Sequence, residues 1–277
     1  MKIGLFLDVD KTLTRDFIQV VFAEELGVLD RYRDLEDGFQ KGQISSAKFG
    51  TDLVELYASK GFSKTQADKL FEKVALRQYV YDLFALQRKG VEIYLVSSGP
   101  NYYIDTLAKR NEIPSERTIS STYAFEGGVI SGCSAVDAAR KTRFVSDAVG
   151  QYDVTIGIGD NHVHDAFVQV CTIGMLTTTE AGAPESFIHV AQFNSVHLLI
   201  DNLLKGRTEP AASDDGLVLT TDDFHGPVNI KKAFQRISVG LWILFAGCLV
   251  TAFGAGYGLR GVLPAGDHSR PPVAETK

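Results

Sequence analysis

The run Ile3-Gly4-Leu5-Phe6-Leu7 leads straight into Asp8-Val9-Asp10. An apolar run of this length without alternation reads as a strand buried on both faces, the environment of a central strand in a parallel sheet. Two carboxylates at the exit of such a strand lie where open α/β sheets place their ligand sites. Ionised carboxylates held so close repel one another, so the pair calls for a cation or a shared proton. The bland alternative is an Asx-type turn in which both side chains cap local backbone.

Further strand-like runs are Val91–Val96, Val154–Ile158 and a shorter Ile173–Met175, with helical patterns between them. This alternation predicts an α/β domain with a parallel sheet over residues 1–204. Asp16–Leu26 carries apolar residues at helical spacing and stops at Gly27, Tyr81–Lys89 stops at Gly90, and Ala135–Val149 stops at Gly150. A hairpin fits Ile119–Phe125 and Val129–Ile130 around Gly127-Gly128. The segment between the first two strands is far longer than a single crossover helix requires. Residues 28–76 read as short amphipathic helices broken at Lys41-Gly42-Gln43 and Lys60-Gly61-Phe62-Ser63-Lys64. That predicts a helical cap over residues 16–80, inserted directly behind the Asp8 loop.

At 45% hydrophobic and 22% charged, the chain suits a globular domain. A net charge of -6 argues against a nucleic-acid partner gripped by a basic face. Cys133, Cys171 and Cys248 form no CxxC pair, and their odd number suits a reducing compartment. Asp8 and Asp10 interrupt the first apolar run too early for a secretory signal.

Residues 205–230 read as a flexible linker rich in Asp, Gly, Pro, Ser and Thr. Residues 237–259 are 23 residues without a charge, against the roughly 20 that a helix needs to cross a bilayer. They predict a transmembrane helix, hence a lipid-bilayer partner and a single-pass membrane location, with residues 260–277 as a short tail. Lys231, Lys232 and Arg236 on the near side, against Arg260 and Arg270 beyond, lean toward a cytoplasmic catalytic domain. Gly240, Gly247 and Gly254, with Gly258 completing a GxxxG, offer a face for weak homodimerisation.

Three more signals accompany the Asp8 loop. The second strand ends in Ser97-Ser98-Gly99, a hydroxyl followed by a turn whose outward N–H groups suit a phosphate oxygen. Lys141 lies on a predicted helix, with nothing local to separate it from Arg140 or Arg143. The third strand exits into Gly159-Asp160-Asn161-His162-Val163-His164-Asp165, again acidic. His162 and His164 lack the further N or S ligands that a zinc site needs.

Together these residues resemble the haloacid dehalogenase superfamily, and within it the phosphoserine-phosphatase-like branch. The resemblance covers residues 1–200. The DxDxT motif matches Asp8, Asp10 and Thr12; the serine motif matches Ser97, with Gly99 in the turn after it. The lysine matches Lys141, and GDxxxxD matches Gly159, Asp160 and Asp165. The resemblance implies a HAD-like Rossmannoid sheet and a phosphomonoesterase acting on a small phosphorylated metabolite. Asp8 is then the nucleophile and Asp10 the general acid and base. Mg2+ is held by the Asp8 and Asp160 carboxylates and the Asp10 carbonyl. Ser97 and Lys141 grip the phosphoryl oxygens, Asp165 orients Lys141 or metal-bound water, and Thr12 braces the loop.

The same chemistry also serves a phosphotransferase or mutase, and the scaffold could instead be a membrane-anchored regulatory module. Asp10-Lys11-Thr12 is similar to the phosphorylation motif of P-type pumps, but the strand register puts Asp8 first and one span makes no transport path. The branch's phosphoserine phosphatases carry a glutamate nine positions after the nucleophile, where this chain has Phe17. They also use a cap arginine, and no arginine occurs here between Arg33 and Arg77. L-Phosphoserine is therefore an unexpected substrate. Phe17, Phe39, Phe49 and Tyr57 suggest a more apolar cap.

Overall fold

The computed structural model describes residues 1–178, 187–190 and 192–205. Strand β1 (Ile3–Leu7) is buried throughout and pairs in parallel on both sides, with β2 (Glu92–Pro100) and β5 (Val154–Gly159). Outward from β2 come β3 (Thr118–Glu126) and β4 (Val129–Ser134); outward from β5 come β6 (Ile173–Leu176) and β7 (Ile188–His189). The order among the described residues is β4-β3-β2-β1-β5-β6-β7, parallel except for the antiparallel β3–β4 hairpin. Phe6 stacks on Tyr94 with ring centroids 4.5 Å apart, in a core cluster completed by Val96, Val145, Phe167 and Leu176.

Four helices lie between β1 and β2 on the cap side: α1 (Ile18–Glu25), α2 (Leu29–Gln40), α3 (Ser46–Ala58) and α4 (Lys64–Leu70). Then follow α5 (Val80–Ala85) and, later in the chain, α6 (Asn101–Arg110), α7 (Ala138–Val149) and α8 (Phe193–Leu204). Several boundaries differ from the sequence expectation. The 81–89 helix is split, because α5 gives way to a tighter 3-10 turn at Leu86–Lys89 before Gly90. Helix α7 starts at Ala138 rather than Ala135, because the Asp137 carboxylate accepts the Arg140 N–H at 2.8 Å and fixes the N-terminus there. Gly27 and Gly90 end their helices in left-handed backbone, at φ 66° and 83°, whereas Gly150 stays right-handed at φ -65°.

Phe62 fastens the cap to the sheet. Its ring is wholly buried among Phe22 and Tyr57 of the cap and Tyr102 and Phe125 of the core, with centroids 5.3–6.2 Å away. The Ile130 N–H donates to the Phe62 carbonyl at 2.9 Å, so the α3–α4 turn also pairs with the hairpin. Tyr57 belongs to this packing, its hydroxyl donating to the Gln19 carbonyl at 2.9 Å, and does not line the cleft above the Asp8 loop.

No helix among the described residues is long and apolar enough to cross a membrane. The expected span at 237–259, its glycine face, nearly all of the linker and the tail lie outside the described residues.

Truncating Phe62 empties the cap–core seam, and large-to-small changes at such sites cost about 3–5 kcal/mol. Phe62→Ala should lower the urea midpoint correspondingly. A loss below about 1 kcal/mol would show that the cap docks by other contacts.

Candidate active site

Register places the acidic residues. Leu7 sits opposite Ile158, so the two parallel strands end side by side, and the Asp8 N–H donates to the Ile158 carbonyl at 2.9 Å. Helix α7 turns Lys141, Val145 and Ala148 inward, and Lys141 is only 2% exposed. Its ammonium donates to Asp8 Oδ1 at 2.8 Å and to Asp165 Oδ1. Asp165 is fully engaged, since its Oδ2 also accepts the N–H groups of Asp160 at 2.9 Å and Asn161 at 3.2 Å. Gly159 makes room for this, because a Cβ there would fall 2.5 Å from Asp165 Oδ2.

Asp10 faces the other way. Its Oδ1 accepts the Ile18 N–H at 2.7 Å, satisfying an end group of α1 that has no capping side chain of its own. Gly99 lies against it so closely that a Cβ there would overlap Asp10 Oδ2.

The β2 exit differs from expectation. The strand continues to Pro100, and its pairing with β3 shifts register between Val96 and Pro100. Ser97 is wholly buried, and the Gly99 N–H donates inward to Ser97 Oγ at 2.9 Å instead of pointing out. Ser98 and Gly99 form the cleft wall. Thr12 was expected to brace the loop, yet its buried Oγ1 has no hydrogen-bond partner. Thr14 takes that part, accepting the Lys11 N–H at 3.0 Å and donating to the Asp16 carbonyl at 2.7 Å. Arg77 adds a second brace through Nη2, which donates to the Lys11 carbonyl at 2.6 Å. Neither Thr14, Arg77 nor the cleft residue Ser121 carries a sequence signal, because each acts through a backbone partner.

Burial, the Asp165 carboxylate and Asp160 all hold the Asp8 carboxyl well above its ordinary value, with Lys141 opposing them. Burial pushes Asp10 up to about 6, offset in part by the Ile18 N–H. Burial, then Asp165, pushes Asp160 up to about 7. Burial works against the Lys141 ammonium, but Asp165 and Asp8 outweigh it and hold the group above the usual lysine range.

Asp8, Asp160 and Asp165 bring carboxylate oxygens within 4.8 Å of one another. With Asp165 committed to Lys141 and backbone, Asp8 and Asp160 are the pair available to a cation. An all-oxygen, anionic donor set fits a hard divalent ion such as magnesium. His162 and His164 do not join this cluster; His164 stacks on Phe39 of the cap, ring centroids 5.6 Å apart. Above the carboxylates opens a cleft of about 400 Å³, whose cap wall includes Phe17, Gln19, Tyr32, Glu36, Phe39 and Phe49.

No family model and no curated protein match the sequence. Solved structures do. A HAD family hydrolase from Salmonella enterica serovar Typhi superposes with a TM-score of 0.57 at 18% identity, over 64% of this chain and 63% of that one. A phosphoserine phosphatase solved as a phospho-aspartyl intermediate analogue gives 0.54 at 15% identity, over 63% and 85%. A substrate-bound phosphoserine phosphatase complex gives 0.52 at 14% identity, over 63% and 85%. The fold is that of the HAD-family hydrolases. The match spans just under two thirds of the Salmonella protein's length and most of the phosphoserine phosphatases'.

A carboxyl raised by folding binds protons better in the folded chain. Its stabilisation is complete below the ordinary value of 3.8 and is lost as pH rises through about 6 for Asp10 and about 7 for Asp160. Metal-free protein should therefore melt lower at about pH 8 than at about pH 5, and added magnesium should raise the melting temperature more at the higher pH. Scanning calorimetry across that range checks this; a profile that rises with pH, or a magnesium effect independent of it, contradicts the assignment.

Proposed function

We propose that the protein is a magnesium-dependent phosphomonoesterase that hydrolyses a small phosphorylated metabolite through an aspartyl phosphate on Asp8. The observation that carries this reading is the placement of Asp8 at the cleft floor, ion-paired to buried Lys141, with a second carboxyl of raised pKa two residues on. An Asp8 oxygen attacks phosphorus as the ester P–O bond breaks, and the protonated Asp10 gives its proton to the departing alkoxide. Asp10, now a carboxylate, takes a proton from water, whose oxygen attacks phosphorus. Inorganic phosphate leaves and Asp8 is regenerated. Lys141 orients Asp8 and offsets charge as the phosphoryl group approaches, with Asp165 fixing the lysine. Ser97 supports the phosphoryl site by tying down Gly99. Asp8 and Asp160, with the Asp10 carbonyl, would hold magnesium, whose charge stabilises the transferring phosphoryl oxygens.

Replacing Asp8 by Asn removes the nucleophile. Phosphate release from p-nitrophenyl phosphate should fall by about 10³-fold or more, the scale seen when a covalent nucleophile is lost. EDTA should silence the wild type and magnesium restore it. Full turnover by Asp8→Asn would exclude the mechanism, and transfer to an added alcohol in place of phosphate release would make it a phosphotransferase.

We further infer that residues 237–259 tether the domain to a membrane from its cytoplasmic side. The support is their length and lack of charge, with the basic excess at Lys231, Lys232 and Arg236. Full-length protein should sediment with membranes and a chain ending at Leu204 should not. Recovery of the full-length form in the supernatant would remove the span; digestion of the domain by protease added outside intact cells would reverse its orientation.

A further inference from the structure

The cap wall of the cleft carries a chemistry that the phosphoryl site does not use. Helix α2 presents Tyr32, Glu36 and Phe39 to the cleft at i, i+4 and i+7, one face of a helix. Phe49 of α3 completes the wall, 5.2 Å from Phe39 and edge-on to Tyr32 at 6.3 Å, centroid to centroid. Glu36 is half-buried, and none of the ion pairs among the described residues involves it. Two cations lie near it: Lys11 is drawn over the Phe17 ring, 4.0 Å from its centroid, and Arg33 of α2 lies outside the cleft lining.

Glu36 also faces the chemistry. It lines the same cleft as Asp10 and Tyr32. The leaving group of a bound ester starts at Asp10, so its body extends toward Glu36 and the three rings. Two features set the sign of charge it should bear. No lysine or arginine of the cap lines the cleft. Beyond Asp8, Asp10, Asp160, Asp165 and Lys141 of the phosphoryl site, the cleft lining carries the carboxylates Glu36 and Asp137 against the ammonium of Lys11. A carboxylate on the leaving group would meet repulsion and no guanidinium; an ammonium would meet a carboxylate and aromatic faces, the usual surroundings of a bound organic cation.

Resting on the phosphomonoesterase reading above, we propose that the substrate is the phosphate monoester of a compact cationic amino alcohol, its ammonium seated against Glu36, Tyr32, Phe39 and Phe49. Glu36 is then the residue that selects the leaving group.

The test compares kcat/KM of the full chain for phosphocholine and phosphoethanolamine with that for neohexyl phosphate, in which carbon replaces the quaternary nitrogen of phosphocholine. L-Phosphoserine and p-nitrophenyl phosphate serve as references. The cationic esters should exceed the uncharged isostere by about tenfold or more. Glu36→Gln should bring that ratio close to one, and Glu36→Lys should shift the preference toward L-phosphoserine. Circular dichroism of both variants confirms their fold. Turnover of p-nitrophenyl phosphate with no preference for the cationic esters, or a ratio unmoved by Glu36→Gln, overturns this proposal and leaves the phosphatase reading standing. No turnover of any ester, p-nitrophenyl phosphate included, overturns both.

Discussion

One buried ammonium holds the catalytic end of the sheet together. Lys141 is shared between Asp8 and Asp165, which belong to the loops after two neighbouring strands, while the lysine itself comes from the helix that precedes the second of them. Removing a charge from water is costly, and such a pair persists only where geometry and further hydrogen bonds compensate. The two N–H groups on Asp165 supply that compensation on one side. On the other side Asp8 keeps its second oxygen for chemistry. One ammonium in contact, with Lys11 and Arg77 acting on Asp160 from farther off, serves three carboxylates, which is the physical reason to expect a divalent ion there.

Asp10 connects that centre to the cap. Its carboxylate closes the N-terminus of α1, so the proposed general acid is also the anchor for the first cap helix. The two chain crossings between sheet and cap run as a short antiparallel pair. Arg15 N–H donates to Ala75 at 2.9 Å, Arg77 N–H donates to Leu13 at 2.8 Å, and Arg77 reaches on to the Lys11 carbonyl. The left-handed backbone of Lys11, at φ 56°, is held from both sides by Thr14 and Arg77. The Asp8–Asp10 loop and the strand crossings into the cap are therefore one hydrogen-bonded unit, and Asp10 cannot be moved without disturbing α1.

The sheet was legible in the sequence because its strands announce themselves locally. Ile3–Leu7 is apolar at every position that carries a side chain, and the acidic residues at the two strand exits mark one edge of the sheet whatever the order of the other strands. Lys141 needed the family resemblance, because a lysine between two arginines has no periodic mark of its own, and only the packing of α7 shows which one turns inward. The β2 exit departs from its composition for a related reason. Ser97-Ser98-Gly99 has the composition of a turn, but register with β3 keeps it extended and spends the Gly99 N–H on Ser97. Backbone braces such as Thr14 and Arg77 leave no trace in composition, since any residue supplies a carbonyl.

The division between chemistry and selectivity follows from the same geometry. Residues that act on the phosphoryl group come from strand ends and one buried helix face, where neighbouring strands and a packed core leave little freedom. The residues proposed to face the leaving group come from α2 and α3; α3 packs on β4, where Gly50 meets Cys133, and the turn after it carries Phe62 and its ring neighbours. Glu36 on the cleft face of α2 has no part in the Phe62 ring cluster, so it can change without disturbing that cluster. Glu36, in a cap wall with no arginine, is a residue of this kind. On the proposed reading it sets the charge that the cleft accepts while Asp8, Asp10 and Lys141 stay where the sheet puts them.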